Sequence, residues 1–581
     1  MFHSEALKCQ PYTVVSLDLA LTPSLFPSAA NADTTSFFPM PKCGDFELEE
    51  ATIDEMQAAM AAGTLTSLQL VICYMLRNYQ TEEYANALLQ INPDALATAA
   101  QMDAERAAGK VRGPLHGIPF TVKDNIATKD NMETTAGSWA LLGSIVPRDA
   151  FVVKRLREAG AILFGKSALS EWADMRSNHY SEGYSARGGQ CRSAYNLTRN
   201  PGGSSSGSAV GVSINAIAFS LGTETDGSVI SPAERAGIVG FKPTVGLTSR
   251  NGVVPESEHQ DTVGTFARTV RDAVYALDGI YGIDSRDNYT SAQQGKTPNG
   301  GYAQYLTTNC ENLKGAAFGL PWKSFWVYAT IEEQTQLLEV VSMIQAAGAT
   351  IINNTEILDN ENIISNTTWN WDWGTTRGYP NESEYTVIKV DFYNNIKTYL
   401  SELENTDMRS LEDIIAYNYA NDGTEGGYAY GNQSGHQTGM AAFSSGQDGF
   451  LNSAATKGVQ DETYWQALEF VQTSTRNGID FALKHNGTNL AGLLVPSVVG
   501  QTYQVAAQAG YPMITLPVGI HSGTGMPFGL SIMQTAWAEA ELVAWGSAIE
   551  DLQLKSGTQY KRTLPKWHNY LARNIPVNSR G

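Results

Sequence analysis

Between residues 115 and 245, short apolar segments of strand length alternate with helical segments, and this alternation constrains the fold more than any other feature. The stretch "GIPFTVKDN" contains a predicted strand at 118–122, and a second predicted strand, 161–164, follows a helix that stops at Gly160. A further apolar strand lies in "GIVGFKP". Apolar strands separated by helices are typical of a sheet that helices cover on both faces. We therefore expect an α/β fold, a single large domain with a mixed, mainly parallel sheet at its core.

The same patterns suggest how the chain is organised. Residues 1–45 are irregular and rich in Pro and Ser, and residues 46–575 are expected to form the domain, beginning with two helices separated by Gly63. Small and apolar residues from 208 to 221 predict a helix packed inside the protein. At about 285–480 the composition shifts toward Asn, Thr, Tyr, Trp and Glu, which indicates a variable, helical and loop-rich layer over the core.

Charge and hydropathy exclude two classes of partner. The formal net charge is −20 and no run of Lys and Arg is present, so binding to a phosphate backbone is not expected. No apolar stretch is long enough to span a bilayer. The N-terminal segment has a weak apolar centre that Asp18 interrupts, and no basic region precedes it, so it is not a convincing signal peptide. Location, cytoplasmic or secreted, and oligomeric state, monomer or homodimer, stay open.

The five cysteines indicate neither a metal site nor a disulfide framework. Cys9, Cys43, Cys73, Cys191 and Cys310 are scattered, with no C-x-x-C pair and no ligand-like spacing. We expect no metal and no organic cofactor.

A serine cluster in "GGSSSGSAVG", residues 202–211, is the first candidate for chemistry. It contains G-x-S-x-G with Ser205 in the middle, the pattern of an α/β-hydrolase nucleophile elbow. However, no apolar strand leads into it, and the later histidines lie in unremarkable polar settings. A phosphate-binding loop would need a lysine after the glycines, and none follows. A loop that opens and caps a helix is the simpler interpretation of the cluster.

Two other segments change this interpretation. "PFTVKDN" places Lys123 at a strand end, where lost solvation lowers the pKa of an amine, and "GTETDGS" places Ser228 on a tight turn. "SPAE", residues 231–234, predicts a capping box that starts the next helix, which would leave the backbone amides of 225–228 free. A serine nucleophile needs a base, and its oxyanion needs such donors. Lys166 in "FGKSAL" is a rival lysine that we expect to be structural.

At this point the chain resembles the amidase signature enzymes. The resemblance runs through "GPLHGIPFTVKDN", "GKSALSEWADMRSN", "NPGGSSSGSAVG", "LGTETDGSVISPAERAGIVGFKPTVGLTSRNGVVP" and "AGYPMITLPVG", about residues 50–280 and 480–555, and within the family it is similar to the peptide amidases. It implies hydrolysis of a carboxamide C–N bond by a Ser-Ser-Lys triad. Ser228 would be the nucleophile, Ser204, preceded by a cis peptide bond, the bridging serine, and Lys123 the base. The oxyanion donors would be the backbone amides of Thr225, Asp226, Gly227 and Ser228.

The chain departs from the common family pattern G-T-D-x-G-G-S. It has "GTETDGS", which places the Asp226 carboxyl beside the proposed oxyanion amides, and Ile230 replaces the usual Arg. Candidate substrate contacts are the side chains of Trp172, Asp174, Asn178 and Ser204.

Trp369, Trp371 and Trp373 line either a substrate channel or the core. The expected substrate is a small-molecule or peptide amide, and which amide stays open. Three alternatives remain: a glutamine-amidotransferase component that passes ammonia to a partner, an inactive binding protein of the same fold, and an α/β-hydrolase with Ser205 as its nucleophile.

Overall fold

The computed structural model describes residues 38–426, 445–557, 562–572 and 577. Most of the predicted irregular segment 1–45, together with Cys9, therefore lies outside the described residues. None of the helices that the structure describes is both long and apolar enough to cross a membrane.

The described residues contain fifteen strands. Their bounds are β1 Leu88–Ile91, β2 Pro119–Lys123, β3 Ile162–Ser167, β4 Tyr184–Ser185, β5 Gly189–Gln190, β6 Phe219–Glu224, β7 Val239–Lys242, β8 Thr262–Ala267, β9 Ala317–Leu320, β10 Thr350–Asn353, β11 Lys484–His485, β12 Thr488–Asn489, β13 Gly492–Pro496, β14 Met513–Ile520 and β15 Pro527–Met533.

Seventeen α-helices accompany them within the same residues. Their bounds are α1 Ile53–Ala61, α2 Ser67–Ala85, α3 Ala95–Ala107, α4 Phe151–Glu158, α5 Ser206–Ser213, α6 Ile230–Arg235, α7 Val270–Ile280, α8 Ile331–Ala346, α9 Asn360–Ile363, α10 Trp373–Thr376, α11 Glu384–Ser401, α12 Leu411–Ala420, α13 Asp422–Glu425, α14 Asp448–Thr456, α15 Glu462–Ala482, α16 Gly500–Ala509 and α17 Glu539–Lys555.

Eleven strands form one mixed sheet in the order β1-β3-β2-β6-β8-β7-β14-β15-β13-β9-β10. Parallel pairing occurs in two blocks, β3-β2-β6 and β13-β9-β10, and the strands between these blocks pair antiparallel. Every residue of β2, β3, β6, β7 and β8 is buried. Because successive side chains point to opposite faces, both faces of these strands are covered, and the predicted mixed α/β architecture is confirmed.

Three local predictions hold to within a few residues, and one is wrong. Gly63 does separate α1 from α2, and β2 and β3 match the two strands predicted around 118–122 and 161–164. The helix predicted over 208–221 ends at Ser213, and strand β6 begins at Phe219. Small and apolar residues favour burial equally in a helix and in a central strand, so composition left this boundary undetermined.

The predicted variable layer at 285–480 is largely helical, but part of it belongs to the core sheet. Strands β9 and β10 pair with each other, and β9 pairs with β13. These strands have only four residues each, and the exposed ends of β10 weaken its apolar pattern.

One disulfide corrects the expectation from the cysteines. Cys43 and Cys73 are bonded with their Cα atoms 5.7 Å apart, and they join the segment before α1 to α2. Cys191 and Cys310 are free. The two bonded cysteines are 30 residues apart, and chain folding alone brings them together, so their spacing gave no signal.

Candidate active site

Lys123 ends strand β2, between β3 and β6, and its side chain is fully buried. Its Nζ lies 2.6 Å from Ser204 Oγ and 2.9 Å from Thr223 Oγ1, with the Thr223 carbonyl oxygen at 3.4 Å. A neutral amine has two N–H donors and one lone pair. In the ammonium form Nζ donates to all three oxygens. In the neutral form it would donate to the two Thr223 oxygens, and its lone pair would face the Ser204 hydroxyl.

Burial lowers the pKa of Lys123 from 10.5 to about 8, and the carboxyls of Glu256, Asp174 and Asp261 oppose this shift. The dominant cause is desolvation, which disfavours the charged form of an amine. A lysine with this pKa supplies an appreciable neutral fraction near neutral pH, which a general base requires.

Ser204 lies in the loop before α5, and the Gly203-Ser204 peptide bond is cis, as the resemblance implies. Its Oγ is 2.8 Å from Ser228 Oγ, so Lys123, Ser204 and Ser228 form one continuous hydrogen-bonded row. A Cβ atom at position 203 would come within 1.9 Å of Glu182 Oε2. A larger residue at position 203 would therefore require the Glu182 and Ser170 side chains to move.

Ser228 ends the turn between β6 and α6. Gly227 has a φ of +80°, and a Cβ atom there would lie 2.5 Å from the Tyr503 ring, so both conformation and space require glycine. The backbone N–H groups of Thr225, Asp226 and Ser228 donate no hydrogen bond to another residue in the described part of the chain. The Gly227 N–H approaches the Glu224 carboxyl and helps to lower its pKa. Donors for an oxyanion are thus present at this turn.

The helix after this turn is capped differently from the prediction. Helix α6 begins at Ile230, and no side chain of the "SPAE" sequence caps it. Instead, Glu224 Oε2 accepts hydrogen bonds from the N–H groups of Val229 and Ile230, at 2.7 and 3.0 Å. The cap comes from the end of β6, and the capping-box pattern did not reveal it because the acceptor precedes the helix by several residues.

Asp226 and Ile230, the two departures from the family pattern, both contact neighbouring residues in the structure. Asp226 Oδ2 accepts a hydrogen bond from Trp369 Nε1. Burial, and next the Glu384 carboxyl, raise the pKa of Asp226 well above its ordinary range, which favours the uncharged acid beside the amides. Ile230 is fully buried in an apolar cluster, where it contributes to packing.

The other serines of the cluster bind backbone. Ser205 Oγ donates to the Thr223 carbonyl at 3.0 Å and accepts from the Thr223 N–H at 3.3 Å. Ser206 Oγ donates to the Gly202 carbonyl at 2.5 Å. Ser205 stands at the N-cap position of α5, but its side chain makes no capping hydrogen bond. Ser205 is buried and its hydroxyl is hydrogen-bonded to the backbone of β6, so it lacks the exposed position of the serine in a nucleophile elbow.

A cavity of about 430 Å³ opens in front of Ser228. Its walls come from the turn 225–228, from the 173–182 segment, from α16 and from the variable layer, which contributes Trp369 and Trp371. Trp373 does not line this cavity and lies beside Arg377 instead. The cavity is of a size that holds a small ligand.

The predicted substrate contacts separate into two groups. Asp174 lines the cavity, and Ser204 lies directly behind Ser228. Trp172 is 1% exposed and packs against Phe450. Asn178 Nδ2 donates to Asp448 Oδ2 at 3.0 Å. Trp172 and Asn178 do not line this cavity, and their side chains contact Phe450 and Asp448 instead.

Lys166, the rival lysine, is also fully buried, and burial lowers its pKa to about 8. Its Nζ donates to the Ile126 carbonyl at 2.5 Å and to Thr134 Oγ1 at 2.9 Å. No described serine accepts from it, and a lowered pKa alone therefore does not single out a base.

Sequence reasoning missed two sets of residues that hold the site. Thr223 Oγ1 accepts hydrogen bonds from Asn125 Nδ2 at 3.0 Å and from Lys123 Nζ. Both Thr223 and Asn125 lie within the motifs that carry the family resemblance, so the sequence could have indicated them. Gln260 Nε2 donates to the Thr225 carbonyl at 3.1 Å and to Glu384 Oε1 at 2.7 Å. No motif or spacing in the sequence indicates this link between the turn and α11.

One close group of potential metal ligands occurs among the described residues: Glu258, His259 and Asp391. Asp391 already accepts from Ser257 Oγ at 2.6 Å and from Tyr464 OH at 2.7 Å, and its Oδ2 lies 2.8 Å from His259 Nδ1. The group is a hydrogen-bond network that joins α11 to its neighbours.

Comparison with known proteins places these features in a family. The sequence model of the Amidase family matches residues 70–416. A protein from Schizosaccharomyces pombe described as a putative amidase is 58% identical, over 97% of this chain and 94% of its own length. A probable amidase from Arabidopsis thaliana is 40% identical over 88% of this chain and 91% of its own length. The X-ray structure of native peptide amidase from Stenotrophomonas maltophilia is 35% identical and covers 89% of this chain and 99% of its own, with a TM-score of 0.74. The chain belongs to the amidase family.

Proposed function

We propose that this member of the amidase family hydrolyses the C–N bond of a small-molecule or peptide carboxamide through an acyl-enzyme on Ser228. The observation that carries the proposal is the row of Lys123, Ser204 and Ser228, with contacts of 2.6 and 2.8 Å, ending at a 430 Å³ cavity. A nucleophile connected to a buried base and open to a ligand-sized space is the arrangement that acyl transfer requires.

Proton transfer runs along this row. Neutral Lys123 accepts the proton of Ser204, Ser204 accepts that of Ser228, and Ser228 Oγ attacks the amide carbon. Thr223 holds the amine by its hydroxyl and carbonyl oxygens, so the lone pair of Nζ faces Ser204. A base held in this orientation needs little reorganisation when the proton moves.

The negative charge that develops on the carbonyl oxygen is stabilised by the backbone amides of the turn 225–228. The N–H groups of Thr225, Asp226 and Ser228 have no acceptor among the described residues, and the raised pKa of Asp226 favours its uncharged form. Preorganised backbone donors of this kind are usually a large contribution to acyl transfer.

Collapse of the tetrahedral intermediate breaks the C–N bond. The proton held by Lys123 returns through Ser204 to the leaving nitrogen, and ammonia or an amine departs. Water then attacks the ester in the same manner, which releases the carboxylic acid and restores the Ser228 hydroxyl. No redox step is needed, because hydrolysis balances with one water molecule.

The test is intact-mass detection of a covalent adduct with a fluorophosphonate, together with ammonia release from a panel of amides. We expect the wild-type protein and Ser205→Ala to be labelled, and Ser228→Ala to be unlabelled and inactive. Ser204→Ala and Lys123→Ala should lose at least about a hundredfold in kcat/KM, as expected when a general base is removed. An active, labelled Ser228→Ala protein would overturn the proposal.

The same experiment tests the three alternatives. An α/β-hydrolase with Ser205 as its nucleophile would lose labelling in Ser205→Ala and keep it in Ser228→Ala. A glutamine-amidotransferase component would be labelled at Ser228 but would not hydrolyse simple amides without its partner. An inactive binding protein would not be labelled. Amide hydrolysis by the purified chain alone contradicts these last two.

A further inference from the structure

The cavity in front of Ser228 carries an excess of acidic side chains. Arg235 is the only lysine or arginine among its described lining residues. Five acidic residues line the same cavity: Asp174, Glu182, Asp226, Glu256 and Glu333. Those of the five carboxyl groups that are ionised give the cleft one sign of charge, and its low-dielectric walls strengthen the attraction for a cation.

Backbone strain holds Asp174 at the wall of this cavity. Trp172, Ala173 and Asp174 are three consecutive residues with positive φ, at 52°, 53° and 84°. Residues other than glycine seldom adopt this left-handed backbone conformation, and each one destabilises the folded state by on the order of 1 kcal/mol. Trp172 lies in the core behind the wall, whereas Ala173 and Asp174 line the cavity. Strained backbone conformations of this kind cluster at active sites and ligand-binding sites.

The carboxyl group of Asp174 lacks one partner. Its Oδ1 is buried and accepts no hydrogen bond from any described residue. Burial, and next the neighbouring Glu182, raise the pKa of Asp174 well above its ordinary range, while Lys123 and the hydroxyls of Ser170 and Tyr180 oppose the shift. A buried acceptor without a donor is costly. The Asp174 side chain is partly exposed at the cavity wall, where a ligand that brings a charged N–H group can approach the carboxyl group. Such a cation would also favour the ionised carboxylate.

Aromatic rings complete the wall. Tyr180, Tyr328, Tyr503, Trp369 and Trp371 line the same cavity. Aromatic faces attract ammonium and guanidinium groups, most strongly when water is excluded. Carboxyl groups combined with aromatic rings therefore favour an organic cation over an anion or a neutral polar group.

We propose that the preferred substrates are carboxamides that also carry an ammonium group, such as amino-acid amides and short peptide amides with a free amine, and that Asp174 forms an ion pair with that ammonium. This inference rests on the proposed function, because it assigns a substrate class to the cavity that Ser228 opens into. Asp174 is a specificity-determining residue, and Ser228, Ser204 and Lys123 carry the reaction.

The test compares two series of amides of equal size. Amides from 3-aminopropanamide to 6-aminohexanamide are each matched with the alkanamide in which a methyl group replaces the ammonium, from butanamide to heptanamide. We expect kcat/KM of the wild-type protein to favour the ammonium compound by about tenfold or more for at least one chain length, as expected for a charge-assisted hydrogen bond.

Asp174→Asn should reduce this preference to about threefold or less. The readout is the ratio of kcat/KM between the two matched amides, because loss of the Asp174 carboxyl also lowers the pKa of Lys123 and so changes both rates. Glu333→Gln is the matched control, because the Glu333 carboxyl is already committed to the Thr330 N–H at 2.7 Å. This variant should keep the preference. Fluorophosphonate labelling of Ser228 in each variant shows that the site is folded.

Two results overturn the inference alone: Ser228-dependent hydrolysis of alkanamides without an ammonium preference at any chain length, and an Asp174→Asn variant that keeps the preference. Absence of both hydrolysis and Ser228 labelling overturns the proposed function, and the inference with it.

Discussion

The pH dependence of kcat/KM gives a quantitative test of Lys123 as the base. At pH 7 an amine with a pKa of about 8 is neutral in roughly one molecule in ten, whereas one with the ordinary value of 10.5 is neutral in roughly one in three thousand. Burial therefore increases the neutral fraction by about 300-fold at this pH. Since only the neutral amine accepts a proton, kcat/KM should rise about tenfold for each pH unit below 8 and level off above it.

The assay is ammonia release from one neutral amide at subsaturating concentration, between pH 5.5 and 10. The pKa of Lys166 is also about 8, so variants must assign the titration. Lys166→Met should retain the rise near pH 8 because Lys166 does not contact the serines. The residual activity of Lys123→Ala should not show this rise.

An apparent pKa near 10.5 would refute the argument that burial prepares the base. A rise at pH 8 that persists in Lys123→Ala and disappears in Lys166→Met would assign the base to the other lysine.

Three further predictions concern the structure around the site. Gly227→Ala should lower kcat/KM about tenfold or more, because the added methyl group would clash with the Tyr503 ring. Gly295→Ala is the control: its φ is similar, +76°, nothing lies within 4 Å of the added methyl group, and kcat/KM should be unchanged in the same steady-state assay. Glu224→Ala should lower the free energy of unfolding in urea by about 2 kcal/mol or more, because two amides of α6 lose their acceptor. Replacing Cys43 and Cys73 by Ala should cost about 3 kcal/mol in the same assay without changing kcat, since the disulfide closes a loop of 30 residues far from Ser228 in sequence.

Local patterns predicted much of the fold because they report which residues are buried. The α/β class, the break between α1 and α2 and the positions of β2 and β3 follow from apolar runs and glycine stops. The same patterns misplaced the end of α5, because a central strand and a buried helix have similar composition.

The candidate site shows the same division. Lys123, Ser204 and Ser228 stand in three motifs that the sequence identifies separately, and the predicted cis bond lies before Ser204. Asp174 was one of four proposed substrate contacts, and only the fold shows that it lines the cavity while Trp172 and Asn178 do not.

The sequence by itself determined the residue types, the motifs and the burial pattern that assign the chain to an α/β amidase. Tertiary structure decided that Glu224 caps α6, that Asp226 bonds to Trp369, and that Cys43 meets Cys73. Each of these depends on contacts between segments far apart in the chain or on a cap supplied from outside the helix. Spacing and composition report local preferences, and such contacts arise only when the sheet and its covering layers are assembled.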